Sequence, residues 1–290
     1  MRVMLPISSL LVFAVFAGPL AVAQDAASEQ QNIITYREVN GQGLSAYVFR
    51  PAMHREGDKS DAVLLFHGGG WSAGTPEWTF GTARRFADWG MVAIAIEYRL
   101  SGGDVTPIDA FEDVCEAMRW VRHHASDLGL TGRVVGYGVS AGGHLVAASA
   151  TVGCPGSEIE GDRSVPDALL LWSPALDVAM DGWFASMLQG RAAVSDYSPA
   201  QHVRRTTPPT SVVIGAEDTL TPLSGARRYC DRLVGLGGVC ELNVYDGVGH
   251  LLTRNLANQE SDFDPDPEAS ADGIERHRQF LVELGFILPE

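Results

Sequence analysis

The sequence predicts an α/β fold: a mainly parallel sheet of about eight strands with helices on both faces. Three observations point there. Continuous apolar runs such as Ala62-Val63-Leu64-Leu65-Phe66 and Met91–Ile96 lack the in–out alternation of a half-exposed strand, so both faces of each strand must be covered. Amphipathic helical patterns separate these runs, above all Pro107–Leu128, where Phe111, Val114, Cys115, Met118, Val121, Ala125 and Leu128 form one stripe. A short strand pattern, Arg133–Tyr137, passes through Gly138-Val139-Ser140-Ala141-Gly142 directly into the small-residue helical run Ala141–Ala150. Strands that alternate with helices in this way build a parallel sheet.

Residues 1–23 read as lying outside that fold. Arg2 precedes an apolar run from Met4 to Ala23 that ends in Ala21-Val22-Ala23, an A-x-A cleavage signature. The strongly apolar part, Leu10–Val22, is too short to span a bilayer and no charged flank follows it. A membrane anchor is therefore not expected, and no cysteine near the cleavage site offers a lipid anchor. The reading is a signal peptide, a secreted or periplasmic protein, and a single domain over 24–290.

The formal net charge is -15, Lys59 is the only lysine, and no basic run exists, which argues against nucleic acid as a partner. The four cysteines, Cys115, Cys154, Cys230 and Cys240, include no C-x-x-C pair, so a metal or redox motif is not expected. In an exported chain two disulfides are the natural state, with free thiols the alternative. Cys230 lies in the helix after Asp218 and Cys240 opens the strand that runs back beside it, which suits a local staple. Cys115 and Cys154 would then tie the helix before the Ser140 turn to the end of the helix after it.

In chain order, Ile33–Arg37 and Leu44–Arg50 read as strands around the turn signal Asn40-Gly41-Gln42-Gly43. The strand Ala62–Phe66 empties into His67-Gly68-Gly69-Gly70-Trp71. Pro76–Trp89 reads as a helix ended by Gly90, and Met91–Ile96 as a strand leading into Glu97-Tyr98-Arg99-Leu100. After the Pro107 helix, the Ser140 turn and its helix comes the strand Ala168–Trp172, then a longer connection over Asp177–Pro209. The strand Ser211–Ile214 reaches Gly215-Ala216-Glu217-Asp218, Pro222–Leu236 reads as a helix, and Glu241–Tyr245 as the last strand before Asp246-Gly247-Val248-Gly249-His250. An acidic loop and a final helix over Ala271–Leu284 close the chain.

A serine at a sharp strand-to-helix bend can act as a nucleophile, with glycines keeping the strained turn free of clashes. It needs a histidine to take its proton, a carboxylate to orient that histidine, and donors for an oxyanion. Such groups gather beyond the carboxyl ends of the strands. His250, in a Gly-flanked loop after the last strand, is the candidate base. Asp218 is the candidate acid, with Asp177 the rival position, and Asp246 is expected to be solvated. Two oxyanion donors are expected among Gly68, Gly69 and Gly70, and a third from the Ala141 N–H. The carboxylates Glu260, Asp262, Asp264, Asp266 and Glu268 could bind a cation, but prolines interleave them and no known loop pattern is present, so a solvated loop is expected and neither metal nor cofactor is assigned.

The set HGGGW at His67–Trp71, EYRL at Glu97–Leu100, GVSAGGH at Gly138–His144, GAED at Gly215–Asp218 and Gly249-His250 resembles the α/β-hydrolase-fold serine esterases with an HGGG oxyanion loop. These include hormone-sensitive-lipase-like and acetyl or feruloyl esterase-like proteins. The resemblance spans about Ser45 to the C-terminus and implies hydrolysis of carboxylic esters through Ser140, His250 and Asp218. Val139 departs from the Asp usual in the lipase-like branch, and the roughly ten residues of the expected mature chain before the first strand are too few for a two-helix lid.

An open cleft follows, with Trp71, Trp183 and Phe184 as candidate substrate-binding residues beside a small acyl pocket. Short-chain, acetyl-type esters of small molecules or carbohydrates are the expected substrates. A small-amide hydrolase or peptidase with the same triad, or a catalytically silent binding module, are the alternatives. The oligomeric state is not read from the sequence.

Overall fold

The computed structural model describes residues 32–53, 55, 57–157 and 163–289; the segment read as a signal peptide lies outside them. Among these residues eight strands form one sheet: β1 (Asn32–Val39), β2 (Gln42–Phe49), β3 (Ser60–Phe66), β4 (Val92–Ile96), β5 (Leu130–Val139), β6 (Ala168–Trp172), β7 (Thr210–Gly215) and β8 (Cys240–Tyr245). Their order is β1-β2-β4-β3-β5-β6-β7-β8. β1 and β2 form an antiparallel hairpin and β2 meets β4 antiparallel; every other pairing is parallel. Val39 pairs with Gln42, so the hairpin turns on Asn40-Gly41, both left-handed (φ 51 and 80), as a tight two-residue turn requires.

Among the described residues seven α-helices accompany the sheet: α1 (Phe80–Asp88), α2 (Pro107–His123), α3 (Ala141–Ala148), α4 (Gly182–Met187), α5 (Pro199–His202), α6 (Leu223–Gly235) and α7 (Pro267–Glu283). The unbroken apolar strands are explained by the two faces they serve. Leu64 and Phe66 of β3 join Val114, Met118 and Leu145 of α2 and α3 in one core layer. Val63 and Leu65 face the other way, onto Phe86 of α1 and Phe280 and Leu281 of α7.

Several boundaries differ from the sequence reading. The helix expected from Pro76 begins as a 3-10 turn over Pro76–Thr79. The Pro107 helix stops at His123, although Leu128, beyond it, is still buried. The last helix begins at Pro267, not Ala271, because the Asp266 side chain accepts from the Glu268 and Ala269 amides at 3.0 and 2.9 Å. The connection after β6 carries two short helices, α4 and α5.

The structure pairs Cys115 with Cys154 and Cys230 with Cys240, at Cα separations of 5.6 and 5.3 Å. The first bond ties α2 to the end of a π-turn, Ser149–Gly153, that continues α3; the second staples α6 to the edge strand β8. No helix among the described residues is long and apolar enough to cross a membrane.

Candidate active site

Ser140 stands between β5 and α3 with φ 51 and ψ -115, a combination that costs an L-residue on the order of 1–3 kcal/mol. The bend is possible because helix and strands approach without side chains between them. A Cβ on Gly142 would lie 2.3 Å from the Phe66 carbonyl oxygen, and one on Gly138 would lie 2.5 Å from that of Gly142. The Ser140 amide donates to Trp172 O at 2.9 Å, and its carbonyl accepts from His144 N at 3.0 Å.

His250 comes to Ser140 from the loop after β8. Its Nε2 is 3.1 Å from Ser140 Oγ, and its Nδ1 is 2.9 Å from Asp218 Oδ2. Asp218 follows β7 with its side chain fully buried. Its Oδ1 accepts from the Leu220 and Thr221 amides at 3.0 and 2.8 Å, and its Oδ2 also meets Thr221 Oγ1 at 2.8 Å. A carboxylate can only accept, so His250 Nδ1 carries the hydrogen and Nε2 turns a lone pair toward Ser140. Such a chain can draw a proton from the serine as its oxygen attacks a carbonyl.

The rival acid is occupied elsewhere. Asp177 ion-pairs with Arg228 and accepts from Gln201 Nε2 at 3.0 Å. Glu217 and Asp246 are exposed. In the acidic loop, Asp264 pairs with Arg254, Asp266 caps α7 and Asp262 accepts from Asn255.

Gly68 packs on Ser140: a Cβ there would sit 3.3 Å from Ser140 Cβ. Gly69, Gly70 and Trp71 follow with φ of 118, 57 and 63. Among the described residues, no protein acceptor is hydrogen-bonded to the Gly69, Gly70 or Ala141 amides.

The aromatic candidates separate. Trp71 and Phe184 are buried, in edge contact with centroids 4.9 Å apart. Trp183 is 58% exposed and donates from Nε1 to Gly70 O at 3.3 Å.

Sequence reasoning missed the residues that brace these groups. Gln259 accepts from the His250 and Thr219 amides at 2.9 and 3.1 Å and donates to Glu217 O at 2.9 Å, clamping the acid loop to the base loop. It lies over Gly249, where a Cβ would fall 2.3 Å from the Gln259 amide carbon; that contact explains the glycine before His250. Ser173 Oγ accepts from Leu251 N at 3.0 Å, and Thr221 Oγ1 reaches both Ser173 O and His250 Nδ1, at 3.0 and 3.2 Å. None of these carries a sequence signal of its own.

The EYRL segment is scaffold. Glu97 accepts from Ser45 N at 2.9 Å, the Tyr98 hydroxyl donates to His67 O at 2.8 Å, and Arg99 makes a two-pronged pair with the buried Asp113 at 2.8 and 2.9 Å. His67 stacks on Tyr98, and burial holds its imidazole below the usual histidine range.

The family model described as alpha/beta hydrolase fold matches residues 63–192. The butyrate-bound form of Thermogutta terrifontis esterase 2 superposes with a TM-score of 0.79 at 30% identity, over 90% of this chain and 96% of that one. The chain belongs to the α/β-hydrolase-fold esterases. The same esterase phosphonylated by sarin gives a TM-score of 0.80 at 29% identity, over 90% and 98% of the two chains. A probable carboxylic ester hydrolase of Mycobacterium tuberculosis, LipM, is 32% identical over 198 residues, 59% of this chain and 45% of LipM. The chain thus spans less than half of that curated relative but nearly all of the solved esterase. The structural match covers nine-tenths of this chain, so it is not confined to a local motif.

Proposed function

We propose that the protein is a serine carboxylic ester hydrolase in which Ser140 is the nucleophile, His250 the base and Asp218 its orienting acid. The observation that carries this reading is the unbroken chain Ser140 Oγ–His250 Nε2 and His250 Nδ1–Asp218 Oδ2, at 3.1 and 2.9 Å, on a strained strand-to-helix bend. Ser140 Oγ adds to the ester carbonyl as its proton passes to His250 Nε2. The oxyanion is received by the Gly69, Gly70 and Ala141 amides, with Gly68 holding the loop against Ser140. His250 then gives the proton to the departing alcohol. A water, deprotonated by His250, adds to the acyl-serine; the acid leaves and Ser140 regains its hydrogen.

Short acyl groups fit this site best. Trp71, at the end of the oxyanion loop, packs with His144 and Phe184 in one buried cluster, while Trp183 alone of the three candidate aromatics is exposed. Thermogutta terrifontis esterase 2 is itself solved with propionate and with butyrate. The two disulfides suit an oxidising compartment, which supports export; the proposal includes removal of residues 1–23 and a mature single domain over 24–290.

The test is kcat/KM for acetyl, butyryl, octanoyl and palmitoyl esters of one alcohol, with the matched butyryl anilide alongside. The reading expects a maximum at about four acyl carbons or fewer, a fall beyond it, and little anilide hydrolysis. A maximum at octanoyl or longer would contradict the short pocket, and anilide turnover equal to ester turnover would contradict the ester assignment.

A further inference from the structure

The proposed oxyanion donors come from two elements, the loop after β3 and the first turn of α3, so their spacing depends on what ties the two together. The near end of the loop is fixed by backbone packing, through the contacts of Gly68 with Ser140 and of Gly142 with Phe66 O. The far end is different. Gly69, Gly70 and Trp71 take left-handed backbone in succession, and the third is no glycine, so local preference does not hold it.

Its side chain does. The Trp71 indole Nε1 donates to His144 Nδ1 at 3.1 Å, with the rings edge-to-face at 5.2 Å. An indole nitrogen only donates, so His144 Nδ1 is unprotonated and Nε2 carries the hydrogen, which it gives to Tyr197 O at 2.8 Å. Complete burial presses the imidazole down to about 4 and keeps it in this neutral form. Phe184 packs on both rings, at 4.9 and 4.8 Å. His144 itself lies one turn along α3 from Ser140, its amide bonded to the Ser140 carbonyl.

We infer that His144 is a positioning residue: through the Trp71 indole it sets Gly69 and Gly70 at a fixed distance from the Ser140–Ala141 turn, so that the three amides converge on one oxyanion. The inference rests on the oxyanion reading of the proposed function. A histidine that only filled space could be replaced by phenylalanine without consequence for the chemical step. One that positions the loop cannot, because misplacing donors by about 1 Å costs on the order of a hundredfold in rate.

Four variants separate these cases, each checked for folding by thermal melt. His144→Phe keeps the ring and removes both polar contacts. His144→Asn puts an amide oxygen near the Nδ1 position and keeps the acceptor for Trp71. His144→Gln carries its polar end toward the Nε2 position and keeps only the Tyr197 contact. The fourth is His144→Phe made in a Trp71→Phe background. Where a separate aliquot of wild-type protein takes an organophosphorus label on Ser140, unlabelled His144→Phe is expected to lose about ten- to a hundredfold in kcat with KM changed less than about threefold. His144→Asn should recover to within about threefold of wild type, His144→Gln should not, and in the Trp71→Phe background His144→Phe should add less than about twofold. Should His144→Phe fail to fold, the Asn and Gln variants carry the comparison. A His144→Phe kcat within about twofold of wild type, or equal activity of the Asn and Gln variants, overturns the inference. Wild-type protein left unlabelled at Ser140 overturns the nucleophile assignment instead.

Discussion

Asp218 and Asp177 show how partners, not residue type, decide which carboxylate serves His250. Both follow strands of the sheet, and sequence order alone leaves both in play. Asp177 spends its oxygens on Arg228 and Gln201. Asp218 has one oxygen held by two amides and the other shared by Thr221 Oγ1 and His250 Nδ1. Asp218→Asn is therefore expected to lower kcat by about 10⁴ by turning the histidine to the wrong tautomer. Asp177→Asn should leave kcat within about twofold of wild type and lower the melting temperature through the lost Arg228 pair. Steady-state kinetics with a thermal melt on both variants decides it; equal kcat losses would contradict the assignment.

At the scale of elements, the site is an agreement between close approaches. α3 begins where it does because Gly138 and Gly142 let helix, β5 and the end of β3 touch backbone to backbone. Gly142→Ala would drive a methyl group to 2.3 Å from the Phe66 oxygen, so it is expected to lower the melting temperature by several degrees and to cost activity as the oxyanion loop shifts; unchanged melting and kcat would contradict the packing account. What the sequence could disclose divides along the same line. Strands buried on both faces announce themselves as apolar runs, and Ala168–Trp172 is the same in sequence and structure. Ser140, His250 and Asp218 could be singled out as candidates because each follows a strand, His250 directly behind Gly249 and Ser140 between Gly138 and Gly142. Gln259 and Thr221 could not, since their contacts cross loops and leave no periodic trace. The start of α7 was readable but missed: Asp266-Pro267 is an N-cap followed by a first-turn proline, obscured by the acidic run around it.

For the molecule as a whole, buried histidines couple folding to pH: His67 is held down by burial, and His144 and His277 furthest. Burial presses His144 to about 4 and His277, whose buried Nε2 finds no hydrogen-bond partner among the described residues, to about 3. Unfolding releases both to the ordinary range near 6.5, so below that pH the unfolded chain binds protons that the folded chain refuses. Stability is fully present above about 6.5 and falls as pH drops toward 4 and 3, by up to about 1.4 kcal/mol per pH unit for each group. His277→Phe should flatten the fall in melting temperature between pH 6.5 and 5; an unchanged slope would show that the imidazole is not buried neutral. The central claim, that Ser140 is the nucleophile of an ester hydrolase, is tested most directly by peptide mass mapping after exposure to an organophosphorus ester such as paraoxon, the reagent that phosphorylates Thermogutta terrifontis esterase 2. The account predicts one phosphoryl adduct on the Ser140 peptide, formed as activity is lost, and no adduct in His250→Ala over the same time. An adduct on another residue, or full inactivation with Ser140 unmodified, would contradict it.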